Sequence, residues 1–446
     1  MELTPKLTAK QKEALKVLMY TNGVNELLYG GAAGGGKSFI GCFWLIVSAL
    51  KYPGTRWLMG RAKLDTLKST TLKTFFEVAG KLGLKENVHY RYNQMNKMIK
   101  FYNQSEIVLK DLFSYPSDPE FDSLGSLEIT GAFIDECNQI SLKAKTIVAT
   151  RIRFKLDEFN LEPKIIMTCN PARNWVYNEF YKKSLDGNLE EYKSFIPALN
   201  TDNEYITAHY VKQLNRADTV TKNRLLYGNW EYQDELSMFN YDSIMAIFID
   251  SKQTKFLELP DKKNVFITID VARLGKDKTC ILVWDDMTVI DVIELSKMRL
   301  NLQKEIIDEL KVKYQIKNKQ LIFDTDGVGG GLADNFPGCL EIVNNSKALM
   351  DENYQNLKTQ LYFKLADKIN SGEITIYCNA DIQLRLTQEL QVLKREKADQ
   401  DGKIHMTPKD SVKKQIGRSP DISDSMAFRM LLVVEPQATF SYLRVR

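Results

Sequence analysis

The run Gly31-Ala32-Ala33-Gly34-Gly35-Gly36-Lys37-Ser38 concentrates the residue types that bind phosphate. It fits G-x-x-x-x-G-K-[ST], with an apolar run at 26–29 before it and a helix start, Phe39-Ile40-Gly41-Cys42, after it. Gly31, Gly34, Gly35 and Gly36 let successive backbone N–H groups curl round phosphates. Lys37 supplies a point charge to the β- and γ-phosphates of ATP, and the Ser38 hydroxyl ligates Mg²⁺. Downstream, Gly131-Ala132-Phe133-Ile134 leads into Asp135-Glu136. An apolar strand ending in two carboxylates is expected beside the phosphate loop, with Asp135 holding Mg²⁺ through water and Glu136 orienting and deprotonating the attacking water. A third strand, 165–168, runs into Cys169-Asn170-Pro171 and brings Thr168 and Asn170 to the same edge, where they can sense the γ-phosphate and relay its loss. Gln11 carries an amide with one donor and one acceptor suited to the adenine edge; the competing reading is a solvated helix residue.

A second set of residues could also handle phosphate. Asp270 closes the apolar run 265–269, Asp324 closes 321–323, and Ser419-Pro420-Asp421-Ile422-Ser423-Asp424 opens a helical stretch at 425–432. Acids at neighbouring strand ends and a helix start can converge, and like charges so close persist when divalent cations bridge them. Two such ions clamp the attacking and leaving oxygens of a phosphodiester, and oxygen ligands favour Mg²⁺ or Mn²⁺ over zinc. Taken singly, each Asp reads as a cap or turn residue. Between 394 and 418 stand eight basic residues, Lys394, Arg395, Lys397, Lys403, Lys409, Lys413, Lys414 and Arg418, against four acidic ones. Asp401-Gly402 in their middle signals a hairpin turn. A basic hairpin there would grip a DNA backbone without reading sequence, chiefly through Lys394, Arg395, Lys397, Lys403, Lys413 and Lys414; a solvated charged hairpin is the plain alternative.

These residues need a scaffold. Short apolar runs at 26–29, 56–59, 130–134 and 165–168 alternate with helical stretches, the rhythm of a parallel sheet with crossover helices. An amphipathic helix at 11–20 precedes them, and 97–101 with 107–112 flank Asn103-Gln104-Ser105 as a hairpin added to the sheet edge. The stretch 230–263 shows no clear period, so a linker is expected at 233–260, between domains at 1–232 and 261–446. The second domain reads as α/β with a mixed sheet: strands at 265–269, 280–284 and 289–295 joined by tight turns, a helix at 302–314 and a strand at 321–323. Hydrophobic residues at 44% and charged residues at 26% exclude disordered and collagen-like chains. The apolar runs fall short of the ~18 residues of a membrane span, and the polar opening is not a signal-peptide core. Six scattered cysteines and three distant histidines suggest neither a disulfide framework nor a zinc site. The second domain carries 28 Lys and Arg against 27 Asp and Glu, so bulk charge does not reveal a nucleic-acid binder.

Taken in order, these motifs resemble those of the large terminase subunit of tailed bacteriophages over nearly the whole chain. Gln11, the loop 31–38, Asp135-Glu136 and Thr168-Cys169-Asn170 look like that family's adenine, Walker A, Walker B and coupling motifs. Leu226-Tyr227-Gly228-Asn229-Trp230 is similar to the Tyr-Gly-x-Trp that closes its ATPase domain. Asp270, Asp324 with Gly327-Val328-Gly329, and Pro420-Asp421 through Asp424 look like its RNase H-like nuclease triad, with Asp424 fitting the third position better and Asp421 as the alternate. The resemblance implies an N-terminal P-loop ATPase and a C-terminal RNase H-like endonuclease using ATP and Mg²⁺, with Mn²⁺ as a substitute in the nuclease site. Together they would form a motor that drives double-stranded DNA into a procapsid and cuts the concatemer. It also implies a portal protein and a small terminase subunit as partners, a homo-oligomeric ring on the portal, no membrane, and a place in the host cytoplasm. One departure stands out: many relatives carry an arginine in the phosphate loop or before the Walker B strand, and none is present at either place. Arg61, Arg151 and Arg153 are the arginine-finger candidates. A helicase or remodeller whose second domain binds nucleic acid without cutting is the alternative function. The C-terminal 440–446 is a candidate docking segment.

Overall fold

The protein is described from a computed structural model covering residues 6–113, 115, 118, 121–232, 236–250, 264–272, 277–326, 328–396 and 402–434. Lys397, Asp401, Gly327 and the segment 440–446 lie outside the described residues. The chain divides into two units, Met1–Asp234 and Glu235–Arg446.

Eight strands form the sheet of the first unit: β1 (Glu26–Gly31), β2 (Arg56–Arg61), β3 (Tyr90–Asn93), β4 (Met98–Phe101), β5 (Glu106–Asp111), β6 (Gly131–Asp135), β7 (Lys164–Cys169) and β8 (Lys193–Ala198). Their spatial order is β3-β4-β5-β2-β6-β7-β1-β8, parallel from β5 to β8, with β3 and β4 added antiparallel at one edge. Both faces are buried, which is why the strands read as apolar runs without alternation. Successive residues still divide between faces: Leu27, Tyr29, Trp57, Met59, Phe133 and Ile166 pack in one core, while Leu28, Leu58, Ala132, Ile134, Ile165 and Met167 pack in the other. Two features depart from the sequence reading. It does not anticipate β8 or β3, and β6 is not the neighbour of β1, because β7 lies between them. In register, Thr168 stands between Tyr29 on one side and Asp135 on the other.

In the second unit, among the described residues, the main sheet has seven strands: β9 (Phe248–Asp250), β10 (Val265–Asp270), β11 (Lys278–Asp285), β12 (Thr288–Ser296), β13 (Leu321–Asp324), β14 (Leu340–Ile342) and β15 (Thr375–Cys378), ordered β14-β13-β10-β11-β12-β15-β9. β10, β11 and β12 form an antiparallel meander, and β13 and β14 continue parallel to β10, so the sheet is mixed as expected. Part of the stretch read as a linker belongs here: the helix Tyr241–Ala246 lies in it, and β9 pairs with β15. A six-residue helix and a three-residue strand are too short to display a period. The expected basic hairpin is present as Arg395–Glu396 paired antiparallel with His405–Met406.

Candidate functional sites

The phosphate loop links β1 to the helix Lys37–Lys51. Gly36 caps that helix at φ 71°, a left-handed conformation that favours glycine. The helix crosses the sheet to reach β6: a Cβ on Gly41 would overlap the ring of Phe133. This crossing carries Ser38 past the intervening β7 to Asp135, and the Ser38 hydroxyl donates to its two carboxylate oxygens at 3.1 and 3.2 Å. Two more hydroxyls complete the set, Thr71 at 2.6 Å and Thr168 at 2.7 Å, and Arg61 lies 3.6 Å from the same carboxylate. Asp135, Thr168 and Thr71 are all buried.

Lys37 is buried; its Nζ donates to the carbonyls of Gly31 (3.2 Å) and Ala32 and to Oδ1 of Asn170 (3.0 Å). Burial lowers its affinity for a proton, although the charges of Glu136 and Asp135 oppose that shift. The other end of the Asn170 amide donates to Glu136 Oε1 at 3.4 Å, so one side chain touches both Lys37 and Glu136. Glu136 sits at φ 50°, ψ 51°, a left-handed position uncommon outside glycine, which turns its side chain off the end of β6. Burial and the adjacent Asp135 raise its carboxyl above the usual range, against the pull of Arg61, Lys37 and Arg224. Gln11 is likewise brought to the loop. Its Oε1 accepts the Thr8 N–H in a capping box and its Nε2 donates to Gly36 O at 3.2 Å, leaving one N–H and one lone pair for a base.

Of the three arginine candidates, only Arg61 lies at this site. Arg151 donates to Gly125 O at 2.8 Å and Arg153 pairs with Glu128 at 3.2 Å, and the backbone of both meets Ile129. That is the opposite end of β6 from Asp135, roughly 20 Å away over six residues. The sequence reading passes over Thr71 and Arg224, since neither sits in a motif.

In the second unit the strand period does the positioning. Thr268 and Asp270 alternate with the core residues Ile267 and Ile269, and so face the helix Asp421–Phe428, where the Thr268 and Ser425 hydroxyls meet at 3.0 Å. β13 pairs in register with β10 (Ile269 with Phe323), which sets Asp270 and Asp324 side by side on adjacent strands. Asp421 and Asp424 lie within the first turn of the helix rather than ahead of it, because the helix starts at Asp421 and not at 425. Asp324 accepts from the Asp326 N–H (2.9 Å) and Asn344 Nδ2 (3.0 Å), and Asp421 accepts from the Lys278 N–H (3.1 Å). Burial, then the neighbouring Asp424, Asp421 and Asp324 charges, hold Asp270 well above the usual range; burial likewise raises Asp324 and Asp421.

Asp424 differs. It is 1% exposed and accepts from Lys358 Nζ (2.5 Å), Tyr362 Oη (2.6 Å) and Lys409 Nζ (2.9 Å). Although burial opposes it, these lysines hold the carboxyl well below the usual range. Among the described residues no three Asp, Glu, His or Cys side chains are grouped closely enough to hold an ion as they stand. The sheet sets the acids side by side, and two ammonium groups neutralise one of them. The donor chemistry still suits a hard cation, since the acids outnumber the lysines and, among the described residues, Asp270 has no cation bonded to it. Beneath the helix start, buried Glu389 accepts the Ser423 N–H at 2.8 Å and lies 3.4 Å from Arg418; burial pushes its carboxyl up to about 7. Of the DNA-contact candidates, Lys394, Arg395 and Lys414 are exposed, Lys413 reaches Asp277 at 3.1 Å, and Lys403 lies between the two strands of the hairpin.

Residues 24–230 match the model of the phage terminase large subunit family (Terminase_3). No curated protein matches the chain. Among solved structures it is similar to the large terminase of a thermophilic bacteriophage, at 13% identity over 96% of this chain and 99% of that one, TM-score 0.43. The same phage protein in complex with ATP-gamma-S matches at 14% identity over 93% and 98%, TM-score 0.42. The nuclease domain of the large terminase subunit of bacterial virus Sf6 matches at 18% identity over 44% and 98%, TM-score 0.37. The match to the phage terminase large subunit family therefore rests on residues 24–230, the stretch that holds the loop 31–38, Asp135-Glu136 and Thr168 to Asn170.

Proposed function

We propose that the first unit hydrolyses ATP and the second cuts DNA, in a motor that drives double-stranded viral DNA into a procapsid. One observation carries the ATPase reading: Asn170 bonds both Lys37 and Glu136, while Asp135 gathers three hydroxyls including that of Ser38. Mg²⁺, held by Ser38 and by Asp135 through water, would neutralise charge on the phosphates. Gly31, Gly34, Gly35 and Gly36 cradle the phosphates, Gln11 meets the base, and Glu136 takes a proton from the attacking water. Thr168 and Asn170 feel the change in charge when the γ-phosphate leaves, since they touch Asp135, Lys37 and Glu136 directly. Phosphate release from ATP by the full chain, and its loss in Glu136→Gln, tests this reading; equal rates in the two would sink it.

For the second unit, Asp270, Asp324 and Asp424 would hold Mg²⁺ or Mn²⁺, with Asp421 as the alternate. Such ions activate water and stabilise the departing oxygen of a phosphodiester. The chain's own part is to hold the acids on adjacent strand ends and one helix turn, with Lys394, Arg395, Lys403, Lys413 and Lys414 along the DNA backbone. In the family role, a portal protein, a small terminase subunit and a ring of copies would complete the motor in the host cytoplasm. Among the described residues no helix is long and apolar enough to cross a membrane.

A second reading is favoured by one observation, the neutralisation of Asp424 by Lys358 and Lys409. It keeps the ATPase and makes the second unit a DNA-binding domain that does not cut. Supercoiled plasmid incubated with the full chain and Mn²⁺ separates the two. Nicking that Asp270→Asn abolishes supports the nuclease, and an inert wild type supports the helicase-like alternative.

A further inference from the structure

The first site holds a guanidinium that no motif announces. Arg224 lies in the helical turn Lys222–Leu226, far along the chain from the phosphate loop. Its Nε donates to the carbonyl of Pro171 at 3.0 Å, and Pro171 directly follows Asn170, the residue that bonds Lys37 and Glu136. The next carbonyl, of Leu225, accepts the N–H of Ala33 inside the phosphate loop at 2.8 Å. The turn is therefore tied to the loop on one side and to the Asn170 strand end on the other. The positive charge of Arg224 is felt by both Lys37 and Glu136, lowering the proton affinity of each. Its two terminal nitrogens take no partner among the described residues. Arg61, by contrast, is engaged by Asp135, Thr70 and Thr71.

We propose that Arg224 is the guanidinium that contacts the γ-phosphate of ATP, supplied in cis by the same chain that carries the phosphate loop. The proposal rests on the ATPase reading of the first unit. In hydrolysis the water oxygen bonds to Pγ as the bond from Pγ to the bridging oxygen breaks. The bonding pair leaves with the β-phosphate, and the water proton passes to Glu136. Negative charge grows on the bridging oxygen, and planar paired N–H donors match phosphate oxygens better than an ammonium does. Because Arg224 is anchored to Pro171, departure of the γ-phosphate frees its terminal nitrogens at the strand end that holds Asn170. The 222–226 turn then gains a direct report of the nucleotide's state.

Titration calorimetry of the full chain with Mg²⁺·ATP-gamma-S and with Mg²⁺·ADP, beside steady-state ATP turnover, tests the assignment in wild type, Arg224→Gln and Arg224→Lys. Glutamine retains an N–H for Pro171 but carries no charge. The expected result is that Arg224→Gln binds ATP-gamma-S about tenfold more weakly, keeps ADP affinity within about twofold, and loses turnover by ~10³-fold, the scale of an arginine contact to a transferring phosphoryl group. Arg224→Lys should recover part of the ATP-gamma-S affinity and little of the turnover. Equal losses for both nucleotides in both variants would reduce Arg224 to a structural staple, and unchanged turnover would overturn the proposal outright. A wild type that binds and hydrolyses nucleotide while Arg224→Gln matches it defeats this inference alone; a wild type inert towards ATP defeats the ATPase reading as well.

Discussion

Both units collect acids where strands of a central sheet end, yet they balance the resulting charge by different means. In the first, Asp135 is surrounded by neutral donors, the hydroxyls of Ser38, Thr71 and Thr168, with Arg61 farther off at 3.6 Å. Hydroxyls satisfy lone pairs without cancelling the charge, so the field of the carboxylate stays available to a cation. In the second, Asp424 is bonded by two ammonium groups, while Asp270 is left crowded by its neighbours and shifted upward. A cation entering the first site finds its donors in place. One entering the second competes with lysines for Asp424.

The broadest test of that contrast is whether the two sites work separately. Asp270→Asn is expected to reduce Mn²⁺-dependent plasmid nicking to below about a hundredth of wild type while ATP turnover stays unchanged. Glu136→Gln should do the reverse, cutting turnover by ~10²–10⁴-fold and sparing nicking. Cross-talk of similar size in either direction would mean the comparison is wrong. A smaller effect is expected at Lys358. If its ammonium stands in for a cation, Lys358→Met should lower the Mn²⁺ concentration for half-maximal nicking by about tenfold, or ~1.4 kcal/mol. A higher requirement would show that the lysine assists the site instead.

On the first side, Thr71→Val removes one hydroxyl donor to buried Asp135. An unsatisfied buried acceptor costs about 1–3 kcal/mol, so kcat/KM for ATP should fall about tenfold, with unchanged plasmid nicking as the control. The least effect is expected from Glu389. Its folded-state carboxyl lies at about 7, above its ordinary value, so the folded form binds the proton more tightly than the unfolded form. The resulting stability is fully present below the ordinary carboxyl range and is lost as pH rises through 7. Amide exchange in the helix Asp421–Phe428 should accordingly lose protection between pH 5 and pH 8 after correction for intrinsic rates. Asp270 and Asp421 act in the same direction, so Glu389→Gln should flatten the slope only in part.

Much of both sites was legible because their key residues are local. The phosphate loop is eight consecutive residues whose chemistry depends on backbone freedom, one ammonium and one hydroxyl, and the strand before it and helix after it are adjacent in sequence. Asp135, Glu136, Thr168, Asp270 and Asp324 could be found because an apolar run ending in a polar residue marks a strand end whatever the sheet order. Resemblance supplied what spacing did not, the preference for Asp424 over Asp421 as the third acid.

The amino-acid sequence by itself therefore determined the two α/β units, the phosphate loop and the acids at strand ends, since periodicity and short motifs encode contacts between near neighbours. Tertiary structure alone decided what those residues touch. Strand order inserted β7 between the phosphate-loop strand and the acid strand. The same packing brought Thr71 to Asp135 across 64 residues and Asn170 to Lys37 across 133, set Lys358 on Asp424, and hung Arg224 on the carbonyl of Pro171. It also moved Arg151 and Arg153 to the far end of β6. No local pattern records such meetings, because a side chain's partner across the sheet is fixed by how whole elements cross and pair, and the chain reveals that only when folded.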